Sequence, residues 1–266
     1  MRTSPVEDSR RVLSAEGYPM TNSRPVLYVF AASHFCEKAM WGLDAAGVAY
    51  ERRCWAPGLH VLLARRLGAS RSTVPILVTE RSKLVQGSDK ILDWSGLKGG
   101  DPEVERRAEE GLAVAGRRLI YSGTLSDSGG SSIRSALHEG IPVWQRVMAG
   151  LAWPAIRRGM IWKTAATPDA MTEAASDVER ELAWLDGVVS RTPYVTGPVF
   201  GRADITVASF LAPFARPVEH PIYARLAYPE PLERLLRGWK ERPSLEWARR
   251  VYREQRWKAS CAAGRG

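Results

Sequence analysis

The sequence predicts an α/β domain followed by an all-helical bundle domain, and two observations carry that class. Residues 26–94 run through β-rich stretches and helical patterns in the order β-α-β-α-β-β-α. From residue 101 onward the strand signal mostly disappears, and apolar residues recur at helical spacing. A chain of 266 residues is long enough for two such domains, at about 100–150 residues each.

The rest of the chain is organised around residues 25–46. Val26, Leu27, Tyr28, Val29 and Phe30 form a short β-rich run. The chain crosses Ala31 and Ala32 and enters a helical pattern at Ser33, with Phe35, Ala39, Leu43 and Ala46 on one apolar face. Ser33 is a good N-cap and Gly47 a C-terminal stop. A strand thus delivers a hydroxyl and, three residues on, the Cys36 thiol to a helix start. Unpaired N–H groups and the helix dipole favour negative charge there, as thiolate chemistry requires. An ordinary cap beside a small buried cysteine would use the same residues.

A second strand follows at 48–54, then a helix at 59–67 that stops at Gly68. The strand at 72–78 is interrupted near its start by Pro75, which lacks a ladder donor and belongs at an edge or entrance. A short strand at 83–85 leads to Gln86, Gly87, Ser88 and Asp89, which open a helix carrying Ile91, Leu92 and Trp94. Residues 97–102 read as a linker, where Asp101 and Pro102 restart a helix with a capping acid and a proline at the first helical position. Helices are predicted at 103–121, at 133–162 with breaks at Pro142 and Pro154, after Thr167 and Pro168, and at 201–212, 231–240 and 244–257. A Ser/Gly-rich loop is predicted at 122–132. Met171, Ala175, Val178, Leu182, Leu185 and Val189 step by four and three, the pattern of a single-faced core helix. The expected domains are 25–96 and 103–258, with flexible segments at 1–24 and 259–266.

The net charge of +9 favours anionic partners in general. No aromatic-basic motif supports nucleic-acid binding, and no run approaches the length of a spanning helix. The segment 141–162, with Arg146, Arg157 and Arg158 among tryptophans, has some character of a membrane-surface element, but its prolines break a continuous amphipathic helix. Three cysteines, Cys36, Cys54 and Cys261, are too few for a disulfide scaffold, which points to a reducing compartment. His34, His60, His138 and His220 form no metal-spaced pair, so no metal is expected.

Four local features, in their order and spacing, resemble the cytosolic glutathione transferase superfamily. Ser33-His34-Phe35-Cys36 is similar to the S-x-x-C site at the start of the first helix. Val74-Pro75 is similar to the Val-cis-Pro of thioredoxin-like domains. Gln86-Gly87-Ser88-Asp89 resembles the segment that holds the γ-glutamyl group, with Gly87 inserted where the family places the acid or amide directly before serine. Gly201-Arg202-Ala203-Asp204-Ile205 resembles the capping box of a core helix, with Gly201 in place of the hydroxyl residue.

The resemblance implies a thioredoxin-like domain that binds glutathione as co-substrate, and a helical domain that completes a pocket for a hydrophobic electrophile. On this likeness Ser33 and Cys36 are the catalytic candidates. His34, Phe35, Thr73, Val74, Pro75, Gln86, Ser88 and Asp89 are the glutathione-binding candidates. Tyr121 and Trp144, with Trp153 and Trp162 beside them, are candidate walls for the second substrate. A cytoplasmic homodimer acting in detoxification is implied as well, with no nucleic acid and no stable membrane insertion. Two rivals stand beside this expectation: a reductase in which Cys36 forms a mixed disulfide with glutathione, and a ligand-binding module without catalysis.

Overall fold

The computed structural model describes residues 24–125 and 130–256; the predicted terminal segments fall almost wholly outside them. The first half is a mixed four-stranded sheet in the order β2-β1-β3-β4. Its strands are β1 (Val26–Val29), β2 (Glu51–Cys54), β3 (Ile76–Val78) and β4 (Leu84–Gln86). β2 pairs parallel to β1, whereas β3 and β4 pair antiparallel with their neighbours. Side chains alternate across the sheet. Leu27 and Val29 pack against α1 (His34–Ala45) and α3 (Ser88–Ser95), while Tyr28 and Phe30 join α2 (Leu59–Arg66) on the other face. This is the thioredoxin-like arrangement.

Two strands are shorter than predicted. The Val48 amide returns to the Leu43 carbonyl to close α1, so pairing of β2 starts only at Glu51. Ahead of β3, the Gln86 side chain takes the carbonyls of Arg71 and Thr73, which holds that segment as a loop. The Val74–Pro75 peptide is cis.

The second half consists of helices and connecting loops, and its described residues hold no strand apart from a single bridge between Tyr194 and Gly197. α4 (Pro102–Arg107), a π-helical turn (Ala108–Leu112) and α5 (Ala113–Leu125) run on past the predicted end at Tyr121. Asp101 caps α4 by accepting from the Glu103 and Val104 amides. Residues 133–162 are three helices instead of one broken helix: α6 (Ser131–Leu137), α7 (Val143–Leu151) and α8 (Trp153–Thr164). Pro142 is the N-cap of α7 and Pro154 lies in the first turn of α8, so each proline marks a start. α9 (Ala170–Val189) buries Ala174, Val178, Leu182 and Leu185, as its periodicity predicts, but Asp169 stands at its N-cap instead of the expected Thr167.

α10 (Arg202–Ala215) is buried almost all round and forms the centre of this half. The Asp204 carboxylate accepts from the Gly201 and Val195 amides at 2.9 and 2.8 Å, a structural role for the acid of the predicted cap. α11 (Glu230–Trp239), α12 (Pro243–Val251) and a closing π-helical turn (Tyr252–Arg256) complete the bundle.

Charged groups join the halves through α1. The fully buried Lys38 ammonium pairs with Glu109 and lies 3.7 Å from Glu105. Arg202 bridges Asp93 of α3 and Glu105 of α4. Buried Glu37 accepts from the Arg256 guanidinium at 2.9 Å, and Arg256 also pairs with Asp44. Burial pushes the Glu37 carboxyl up, but Arg256 and His220 outweigh it and hold it below the usual range.

Candidate functional site

β1 ends at Val29, and four residues later Ser33 opens α1 from extended backbone as its N-cap. Its Oγ accepts from the Cys36 amide at 3.4 Å, a long bond, so the cap is weak. A hydroxyl that accepts through oxygen still has its proton to donate. Ser33 is half-buried and lines a cavity of about 400 Å³ between the two halves of the chain, the size range of small-molecule sites.

Cys36 lies one turn further on and behaves differently. It is fully buried in the core beneath the sheet, packed with Leu27, Val29 and Ala39, and its sulfur accepts from the Phe30 amide at 3.4 Å. Burial pushes the thiol up to about 12, against small lowering contributions from Ser33 and Phe30.

His34, Phe35, Thr73, Val74 and Tyr121 join Ser33 in the cavity wall. His34 is wedged against Phe35 and Phe210. Burial, with Arg117 adding to it, lowers its pKa to about 3, so the ring is neutral. Pro75, Gln86, Ser88 and Asp89 stand outside the lining. Gln86 braces the loop that carries Thr73, because its amide donates to the Thr73 carbonyl at 2.9 Å. The inserted Gly87 has φ +104 and is the N-cap of α3, a backbone state that a side chain would strain. No side chain caps α3, which leaves the first-turn N–H groups after Gly87 free of a side-chain acceptor.

Trp144, expected in the second-substrate wall, lies outside the cavity at 56% exposure. It shares the outer face of α7 with exposed Val143, Val147, Met148 and Leu151. The helix turns that face outward because Gln145 and Ala149 face in, with Gln145 accepting from the Ala56 amide at 2.9 Å. Trp153 is buried against His138, and Trp162 is exposed.

The helical wall is formed instead by Arg117, Ile120 and Tyr121 of α5, with Ile133, Ile156 and Met160 from the following helices. Arg117, Ile120 and Met160 were not singled out from the sequence. Arg117 lies four residues before Tyr121, so the two share one helical face, with Ile120 beside them.

Comparison with known proteins agrees with this geometry. Residues 27–97 match the family model described as glutathione S-transferase, N-terminal domain. The family match covers that domain, and the fold of the whole chain is similar to that of glutathione transferases. The glutathione S-transferase of Ceriporiopsis subvermispora, solved in complex with glutathione, is 12% identical, with a TM-score of 0.61 over 89% of this chain and 98% of that one. A beta-etherase from a Sphingobium species is 17% identical, with a TM-score of 0.50 over 85% of this chain and 98% of its own. Glutaredoxin 2 of Salmonella typhimurium, in complex with glutathione, is 15% identical, with a TM-score of 0.50 over 84% and 95%. At such identities these likenesses show the fold. No curated protein sequence matches the chain significantly.

Proposed function

We propose that the protein is a glutathione transferase that adds the glutathione thiolate to an electrophilic small molecule, with Ser33 as the thiolate-stabilising residue. The observation that carries this reading is the position of Ser33: an N-cap hydroxyl that faces the inter-domain cavity beside Thr73 and Val74. An extended peptide ligand is well held by strand-side backbone, as in β-augmentation, and residues 73–75 supply that edge. The uncapped first turn of α3 offers amide donors to a carboxylate, so Ser88 and Asp89 are assigned to the γ-glutamyl end of the ligand.

In this mechanism the bound thiol loses its proton to solvent near the start of α1. The Ser33 hydroxyl donates to the resulting thiolate, and the helix dipole adds to the stabilisation. The sulfur then attacks an electrophile held between Phe35, Tyr121 and the apolar side chains of α5 and α8. A thioether forms, and the leaving group or the acceptor carbon takes the electron pair. Neutral His34 contributes shape here, with no charge of its own.

Burial of Cys36 and its raised thiol favour Ser33 over the mixed-disulfide reductase. The homodimeric state, the cytoplasmic location and a part in detoxification belong to the same reading and rest on the family. Calorimetric titration with glutathione, followed by turnover with a panel of aryl halides and activated alkenes, tests the proposal. Absence of glutathione binding would sink it. Tight binding without turnover of any electrophile would favour the ligand-binding module.

A further inference from the structure

The charges around the cavity are one-sided. Two cations, Arg117 of α5 and Lys163 of α8, stand among its lining residues, and no Asp or Glu does among the described residues. The two histidines of the wall add no charge, because burial lowers His34 to about 3 and His60 to about 4. Neighbouring cations on the same helical scaffold are paired: Arg107 with Glu181 at 2.9 Å, and Arg118 with Glu173 at 2.8 Å. Neither Arg117 nor Lys163 has a carboxylate partner among the described residues.

The placement of Arg117 separates it from the peptide-binding edge. It lies on the helical wall one turn before Tyr121, with its guanidinium 5.9 Å from the Phe35 ring centre. Thr73 and Val74 belong to the α/β domain. Lys163 acts electrostatically on His60, a residue of α2 in that same domain. A half-buried guanidinium against apolar walls is only partly hydrated, and a neutral apolar guest would cover it without a partner. An anion on the guest would accept its N–H groups in a planar, two-point geometry.

We propose that the second substrate of this cavity carries an anionic group, a carboxylate or sulfonate, on an apolar body, and that Arg117 is the residue that reads it. This rests on the glutathione transferase reading of the cavity. Arg117 then discriminates between an acidic substrate and its neutral counterpart, and it holds the electrophilic carbon toward Ser33.

Fluorescence titration with a matched pair of probes tests this: 8-anilinonaphthalene-1-sulfonate and N-phenyl-1-naphthylamine, which differ by the sulfonate. Arg117→Met weakens the sulfonate probe about tenfold or more, the range of hydrogen bonds to charged groups. It leaves the neutral probe within about twofold, and Arg117→Lys recovers part of the loss. In the unaltered protein, added salt weakens the sulfonate probe and not the neutral one, a readout that needs no variant. Equal loss of both probes, or loss of neither, overturns the proposal. So does a matching fall in glutathione affinity of Arg117→Met by calorimetry, which would give the arginine to a glutathione carboxylate. If the unaltered protein fails to bind glutathione yet selects the sulfonate through Arg117, the transferase reading falls and the anion site stands.

Discussion

Replacing Ser33 by alanine separates a structural loss from a chemical one, and the two have different sizes. Structurally, the Ser33 hydroxyl accepts a single amide at 3.4 Å. Its removal should therefore cost toward the low end of N-cap losses, about 0.5–1 kcal/mol. Chemically, an unassisted thiol with a pKa of about 8.5 is only about 3% ionised at pH 7. A hydroxyl donor and a helix start that lower it by about two units, worth about 2.7 kcal/mol, raise the thiolate to about 75%. We expect Ser33→Ala to lose an order of magnitude or more in conjugation rate, to keep its affinity for glutathione within several-fold, and to melt only a few degrees lower. Ultraviolet absorbance of the bound thiolate, titrated against pH, reports the cause directly and should move toward the free thiol's value in the variant. Cys36→Ser should retain turnover within several-fold, since its side chain is sealed from the cavity. A dead Cys36→Ser with an active Ser33→Ala would reverse the assignment and install the reductase.

Other consequences follow from the same geometry. Native Cys36 should resist iodoacetamide at pH 8 and react only on denaturation, because burial pushes its thiol up to about 12; peptide mapping after timed labelling reads this, and rapid native labelling of Cys36 would contradict it. Lys38→Met should cost about 3 kcal/mol or more by denaturant unfolding, because it leaves Glu109 and Glu105 facing a lost cation at a buried seam. An unchanged midpoint would show the seam to be wet. The fold should weaken on mild acidification: His34 and His220 are held to about 3 and about 4 by burial. The unfolded chain therefore binds protons first, and stability present above pH 6.5 is lost as pH falls toward those values. At pH 5.5 the loss is about 1.4 kcal/mol for each histidine. Urea midpoints at pH 7.5 and 5.5 measure it, and a flat profile would refute it.

The fold class was legible because strand and helix periodicities differ, and the chain changes from one to the other near residue 100. Single elements were legible where one face is buried, as with Val178, Leu182 and Leu185 of α9. Elements fixed by distant partners were not. Strand β2 starts late because the Val48 amide is engaged by α1. The helix predicted across 133–162 divides because Pro142 and Pro154 each begin a helix. Ser33, Thr73 and Val74, read from local motifs, line the cavity, as does Tyr121, read only as an aromatic of the first helix after the linker. Trp144 was misplaced, since an aromatic on a two-sided helix does not announce which side faces solvent. Arg117 was passed over because a cation in an apolar helix reads as a surface residue until the opposite wall is known.

The clasp between Glu37 and Arg256 also bears on how the molecule comes into being. Its partners are 219 positions apart in the chain, so the helix that presents Ser33 is made early and its charge is answered late. Until the end of the bundle arrives, Glu37 must stay hydrated, and α1 cannot settle fully onto α10. During synthesis the thioredoxin-like half therefore precedes the group that answers this charge. The docking of α1 thus depends on the turn at Tyr252–Arg256, and a nick that removes this turn should leave Glu37 and Asp44 without their guanidinium partner.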